Sequence, residues 1–463
     1  MKKVLFILLL GLTQVGYSQK QYNVIQIIVD DLGWKDLSSY GSDYYETPAL
    51  DKFAEKSIVY TNSYASCNVC SPTRASIVTG KYPAKLNLTD WIEGWKMPYA
   101  KYSIPEWTMY LETSQPTVGK LFKENGYKTA HFGKWHLGEN EGYWPENHGF
   151  DKNHGGWSKG APHKNKKKGY NGYFMPYGNP RLKDGPQDEY LTERLAKDVC
   201  LYIEENKNEK FFVNLWFYNV HTPLQARAEK VDKYKNKEKG KYHSNPTYAA
   251  MIEHVDEAIG QVLNKVEALG LMENTIILFS SDNGGLIGKP KRKVTNNSPL
   301  KGGKGTIYEG GIRVPTMIYA PNLTPNKVDY AVSSIDYLPT LAQLAHLKIE
   351  KDVQEQWDGI SIVEFNQTEH YYSRPLYWHY PHYHSQGAVP HTVVIQEDWK
   401  LIHNIENGNY ELYNLRDDIG EQNNLVKSEK AKFSELKKKM KVWKKEVGAQ
   451  MPTKNPNYKP TSK

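Results

Sequence analysis

Cysteine is nearly absent from this chain, with only Cys67, Cys70 and Cys200 among 463 residues. That excludes a small scaffold stapled by disulfides, so stability must come from a packed core. No internal repeat is evident. After the first residues, no apolar run is long enough to cross a bilayer. Hydrophobic residues make up 39% and charged residues 24%, a balance that fits neither a disordered nor a membrane chain. The formal charge is +8, yet no nucleic-acid motif accompanies it. Lysines gather at 163–170, 229–243 and 427–446. They read as solvated loops and a charged helix face, or as attraction to a polyanion such as a sulfated or uronate polysaccharide.

Residues 1–20, MKKVLFILLLGLTQVGYSQK, place two lysines before an apolar stretch and then small residues. This predicts a signal peptide over 1–18 and an exported protein, periplasmic or secreted. No cysteine follows the expected cut, which argues against a lipid anchor there.

Four segments are short, nearly continuous apolar runs of the kind buried on both faces of a parallel sheet: 23–31, 127–138, 210–223 and 274–285. Each ends in a polar cluster: Asp30 and Asp31; Lys134 and His136; His221; Asp282 and Asn283. Residues 248–270 keep a helical apolar period. Strands alternating with amphipathic helices predict an α/β sandwich around a mostly parallel sheet, whose ligands bind beyond the carboxyl ends of the strands. The expected catalytic domain spans 19–365. A smaller C-terminal α+β domain, 366–463, is expected to hold antiparallel strands, a hairpin turn at Asn407–Gly408 and a lysine-rich helix near 429–446.

Asp30, Asp31, Asp282 and Asn283 offer hard oxygen donors from two strand ends. Such a set selects calcium or magnesium over zinc, and the amide favours calcium. A helix cap and a plain turn are the simpler alternative; the matched placement at two strand ends favours the metal. In CNVCSPTRASIVTG, residues 67–80, Pro72 suits a first helical turn and Gly80 a stop, so Cys70 opens a helix where backbone N–H groups favour negative charge. The Cys67–Cys70 spacing also admits a redox pair or half a zinc site. The chain shows no thioredoxin-like unit for the first and no second ligand pair for the other.

The pattern C-x-P-T-R…T-G from Cys70 to Gly80 resembles the signature of the formylglycine-dependent sulfatases. VDDLGWKDLSSYG, GKWHLG, HGFD, HTPL, SSDNGG, LKGGKGTIYEGGIRVP and YELYNLRDDIGEQNNL are similar to that family in the same order. The resemblance implies an alkaline-phosphatase-like fold and a formylglycine (3-oxoalanine) made from Cys70 by a maturation enzyme. It also implies a calcium ion held by Asp30, Asp31, Asp282, Asn283 and residue 70. Arg74 would then steady the formylglycine, Lys134 and Lys304 grip the sulfate, and His136 and His221 transfer protons. Marine bacterial sulfatases of algal polysaccharides are the nearest in character, which implies an ulvan or carrageenan-type substrate. Arg374, His379, His382 and His384, around WHYPHYH, are the expected substrate-facing residues of the C-terminal domain. The rival readings are a glycosaminoglycan sulfatase, a phosphodiester or phosphonate monoester hydrolase, and a glycan-binding protein without activity.

Overall fold

The computed structural model describes residues 21–363 and 373–460. The expected signal peptide and the expected domain boundary at 365/366 lie outside these residues. Among them, the largest sheet has nine strands: β1 (Asn23–Val29), β2 (Ile58–Tyr64), β3 (Lys128–Gly133), β4 (Lys152–His154), β5 (Phe211–Trp216), β6 (Thr275–Ser281), β7 (Arg313–Tyr319), β8 (Asn326–Val328) and β9 (Val332–Ser333). Their spatial order is β8-β2-β7-β6-β1-β5-β3-β4, with β9 beside β2. Strand β1 is central and pairs in parallel with β5 and β6, and β7 runs antiparallel to both its neighbours.

Strand β1 shows why an apolar run forms such a strand. All seven of its residues are buried. Ile25, Ile27 and Val29 face one layer, with the Leu191–Glu205 and Pro246–Ala268 helices. Val24 and Ile28 face the other, with the Cys70–Thr79 and Tyr337–Leu344 helices. A strand clothed on both faces has no polar side, hence the unbroken run. The four segments with polar ends are β1, β3, β5 and β6, so their polar clusters meet along one edge. Because β7 runs the other way, the chain entering it reaches that same edge and brings Lys304 with it.

The C-terminal region is an antiparallel sheet of β10 (Leu376–Tyr380), β11 (His391–Gln396), β12 (Trp399–Asn404) and β13 (Tyr410–Asn414). Gly408 takes a left-handed φ of 76° in the turn between β12 and β13, as Asn-Gly predicts. Leu436, Met440 and Trp443 of the Lys430–Glu446 helix pack on Val394, Leu401 and Leu412.

This sheet docks on the first through a buried ionic cluster. Lys400 Nζ lies 2.9 Å from Glu309 Oε1 and 2.8 Å from Glu421 Oε1, with all three side chains out of contact with water. Burial pushes the Glu421 carboxyl up to about 7 despite Lys400. Against the same burial, Lys400 and Arg313 hold Glu309 below its usual range. Removing the shared cation leaves two carboxyls buried side by side, which costs more than the intact pair contributes. Lys400→Ala is expected to lose about 3 kcal/mol or more in chemical denaturation at neutral pH. Without Lys400 nothing offsets the upward push of burial and Glu309 on the Glu421 carboxyl, so stability is lost as pH rises through its folded value. The deficit should therefore shrink at pH about 5, where protonation relieves the repulsion; an equal deficit at both pH values contradicts this account.

Candidate active site

Cys70 begins the Cys70–Thr79 helix, and all ten of its residues are buried. The helix ends at Gly80 with a left-handed φ of 70°, so Gly80 acts as the expected stop. Cys70 and the carboxylates Asp30 and Asp282 offer donor atoms within 4.8 Å of one another, all buried. Asp30 and Asp31 follow β1, and Asp282 and Asn283 follow β6, so parallel pairing alone brings the four residues together. Asp31 carries a positive φ of 62°, an uncommon conformation for a residue with a side chain. Its backbone N–H donates to Asp282 Oδ1 at 3.2 Å.

Three cations surround these carboxylates. Lys134 Nζ is 2.8 Å from Asp30 Oδ2, Lys304 Nζ is 2.6 Å from Asp31 Oδ1, and Arg74 Nε is 2.8 Å from Asp282 Oδ2. Each carboxylate thus gives one oxygen to a close cation, and the Arg74 guanidinium also stands 3.8 Å from Asp30 Oδ1. Asp30 Oδ1, Asp31 Oδ2 and Asn283 Oδ1 are buried and accept no hydrogen bond. Asn283 is oriented by its Nδ2, which donates to Asp31 Oδ1 and to the carbonyl of Gly284. Buried acceptors without partners are costly. A hard divalent cation takes oxygen donors of this type, so the residues present fit one.

The protonation states fit the same picture. Burial pushes the Asp30 carboxyl up, and Lys134 offsets this only in part. Burial acts on Asp31 in the same sense, but Lys304, His221 and Lys134 together hold it well below the usual carboxylate range. Beside them, burial and then Lys134 drive His136 well below the usual histidine value, so its ring is neutral. Its Nε2 lies 2.7 Å from the carbonyl of Ile92 and must therefore donate. That puts a lone pair on Nδ1, which faces Cys70 Sγ at 3.4 Å. His136 also has a positive φ of 61°, and Gly160 lies so close that a Cβ there would fall 2.3 Å from its ring. His221 is fixed in the opposite sense. Nδ1 donates to the carbonyl of Thr222 at 2.7 Å, and Nε2 stands 3.8 Å from Asp31 Oδ2. Burial and Lys304 press its value down to about 3.

Cys70, His136, His221, Lys304 and His384 line one cavity of about 440 Å³. Lys134 and Arg74 are fully buried behind it. His384 enters because Gly305, with a φ of 76°, has no Cβ; one placed there would fall 2.0 Å from its Nδ1.

The other three residues expected to face substrate serve the fold instead. Arg374 forms a forked pair with Asp336, at 2.9 and 2.6 Å. His379 is buried between Thr392 Oγ1 and the carbonyl of Gln450. His382 is buried against Thr89 Oγ1 and the Trp107 ring. An aromatic, histidine-rich run does not reveal which members point outward; pairing with β11 decides it for His379.

Sequence reasoning missed the outer wall. It includes Trp91, Ser158, Lys159, His163 and Lys164. The lysine run 163–170 had shown its charge but not its place. The Ile92 carbonyl that orients His136 had no sequence signal at all.

A divalent cation seated on the free oxygens must bind the folded protein and not the unfolded one, and so must raise stability. Chelator-treated protein is expected to gain several degrees in melting temperature with excess calcium or magnesium. Asn283→Ala should melt near the chelated parent and gain nothing from either ion. An equal gain in parent and variant would place the cation elsewhere.

Comparison with known proteins agrees with this geometry. A family model described as Sulfatase matches residues 22–347, and one described as N-sulphoglucosamine sulphohydrolase, C-terminal, matches 303–448. A sulfatase of Formosa agariphila is 33% identical over 92% of this chain and 90% of its own length. The N-acetylgalactosamine-6-sulfatase of Rattus norvegicus is 28% identical over 80% of this chain and 70% of its own. Among solved structures, Ps i-CgsB in complex with k-i-k-neocarrahexaose superposes with a TM-score of 0.77 at 28% identity, over 96% of each chain. The Agrobacterium radiobacter phosphonate monoester hydrolase, at 17% identity and a TM-score of 0.67, shares the fold. With its strand-end cluster, its helix opened by Cys70 and these matches along most of its length, the chain belongs to the sulfatase family, the enzymes that hydrolyse sulfuric esters.

Proposed function

We propose that this sulfatase removes sulfate from an anionic polysaccharide or its oligosaccharides, of the marine algal ulvan or carrageenan type, using calcium and a formylglycine made from Cys70. One observation carries the reading. Three buried oxygens on Asp30, Asp31 and Asn283 accept no hydrogen bond, beside a thiol at a helix N-terminus that faces the free lone pair of a neutral histidine. The carbohydrate class is supported by the likeness to a structure solved with a neocarrahexaose.

In the matured enzyme, the Cys70 sulfur stands for the oxygens of an aldehyde hydrate. Asp30, Asp31, Asp282 and Asn283 would hold calcium beside it, and the ion when bound supplies neutralisation of the sulfate oxygens and of the charge that develops on transfer. The hydrate would supply one hydroxyl to accept the sulfuryl group and a second whose proton loss would let sulfate depart. His136 receives that proton at Nδ1, the nitrogen that its bond to Ile92 leaves free. Lys304 Nζ, on the cavity wall, draws the sulfate in, and Lys134 supports it from behind through Asp30. His221 presents Nε2 to the leaving sugar oxygen. It carries a proton there once the anionic ester offsets Lys304, and then gives it up. A plain thiolate would form a thiosulfate ester with no comparable exit, which is why the side chain must be converted.

Mass spectrometry of the peptide 67–74, from a host with the maturation enzyme, is expected to show an aldehyde or its hydrate at residue 70 and none at residue 67. Cys70→Ala should abolish turnover with the fold intact, and Cys67→Ala should change it little. Activity in Cys70→Ala would refute the mechanism.

Gly160→Ala tests the histidine. The added methyl displaces the His136 ring, and a shift of about 1 Å at a reacting group costs about a hundredfold in turnover. That loss should appear in kcat with an unchanged melting temperature. A screen of ulvan, carrageenan and glycosaminoglycan oligosaccharides, read by sulfate release, identifies the polymer. Faster hydrolysis of matched phosphate or phosphonate esters would overturn the assignment.

A further inference from the structure

The catalytic cavity has a neighbour. His163 lines both it and a second cavity of about 530 Å³, which is also walled by Trp157, Lys168, Tyr170, Asn179 and Lys183. Two features give this second space a chemistry. The first is aromatic. The rings of Trp157, His163 and Tyr170 follow one another with centroids 6.0 and 4.8 Å apart. Tyr170 lies against Gly178, whose φ is 61° and where a Cβ would fall 2.5 Å from the ring. Rings set in this way offer flat faces to the C–H surface of a sugar.

The second feature is charge. Lys164–Asn165 and Tyr170–Asn171 form a small antiparallel hairpin. The Asn165 side chain accepts from the N–H groups of Lys167 and Lys168, and Gly169, with a φ of 76°, closes the turn. Lys164, Lys166, Lys167, Lys168 and Lys183 are all exposed. Among the described residues none of the five has a carboxylate within ion-pair distance, unlike Lys159 nearby, which meets Glu93 and Glu139. Asp184, the acid on the same wall, has its Oδ1 engaged by the N–H of Tyr177. A tight turn that holds unpaired lysines at the rim of an aromatic cavity attracts an anion and keeps little else.

The geometry points to a second sugar subsite. The sugar adjoining the one whose sulfate lies at Cys70 occupies this cavity, stacked on Trp157 and Tyr170, with an anionic substituent, sulfate or carboxylate, on Lys168 and Lys183. The inference rests on the reading of the chain as a polysaccharide sulfatase and narrows its substrate: an oligosaccharide with anionic groups on neighbouring sugars.

Lys168→Gln combined with Lys183→Gln tests it, since both residues are exposed and leave the core untouched. Binding of a multiply sulfated galactan hexasaccharide is measured by calorimetry in a Cys70→Ala background, at about 50 and about 200 mM salt. The double variant is expected to bind roughly tenfold more weakly at the lower salt and to show a shallower salt dependence. With Cys70 restored, its kcat/KM on a small aryl sulfate should match the parent's. Tyr170→Ala should likewise weaken the oligosaccharide and spare the aryl sulfate. Unchanged oligosaccharide affinity, or an equal loss on the aryl sulfate, overturns the subsite. A parent that cleaves aryl sulfate but binds no sulfated oligosaccharide overturns the polysaccharide reading, and the subsite with it.

Discussion

Three carboxylates, on Asp30, Asp31 and Asp282, are buried together at one edge of the sheet, and much of the surrounding structure answers that constraint. Isolated, each would be forced to take up a proton, because an unpaired charge in the interior is far costlier than a neutral acid. Arg74 and Lys304 prevent this at Asp282 and Asp31, Lys134 offsets it in part at Asp30, and each cation must come from a different part of the chain. Arg74 comes from the buried helix, Lys134 from the end of β3 and Lys304 from the segment entering β7. The arrangement of strands is thus also an arrangement of charges. The lone antiparallel strand among the described residues of that sheet, β7, is what lets the last cation arrive from the opposite chain direction.

The same constraint fixes the histidines. A neutral ring has one donor and one acceptor nitrogen, and its backbone partner decides which is which. The carbonyl of Ile92 takes the proton side of His136, and the carbonyl of Thr222 takes that of His221. Each ring therefore presents a lone pair toward the carboxylate cluster or Cys70. The orienting group of His136 is not a side chain, so a substitution at position 92 that keeps the backbone path leaves its tautomer in place.

What could be read from the sequence follows from the range of each signal. Strand β1 was legible because burial on both faces leaves an unbroken apolar run, and Asp30 and Asp31 because they end it. Cys70 was legible because Pro72, Arg74 and Gly80 mark a helix with both its ends. Position on an antiparallel strand or beyond it was not. His379, His382 and His384 lie within six residues, yet only His384 reaches the catalytic cavity. Sequence spacing places alternate residues on one face, but not which face the next layer covers. Arg374 failed for a different reason. Its partner Asp336 is far along the chain, and a long-range ion pair leaves no local trace.

The charge balance of the cluster bears on what it can take. With all three carboxyls ionised, as a bound divalent cation would hold them, Asp30, Asp31 and Asp282 against Arg74, Lys134 and Lys304 sum to zero. A divalent cation on the free oxygens leaves a surplus of two positive charges. A sulfate monoester carries one negative charge, so one positive charge remains for the leaving oxygen as its bond lengthens. A phosphate monoester, close to a dianion at neutral pH, would use up the surplus on binding and leave nothing additional for the transition state. Binding that does not strengthen toward the transition state lowers KM without raising kcat. A site of this composition can therefore bind both esters and still favour turnover of the sulfate, with discrimination set by the count of buried charges rather than by the shape of the cavity.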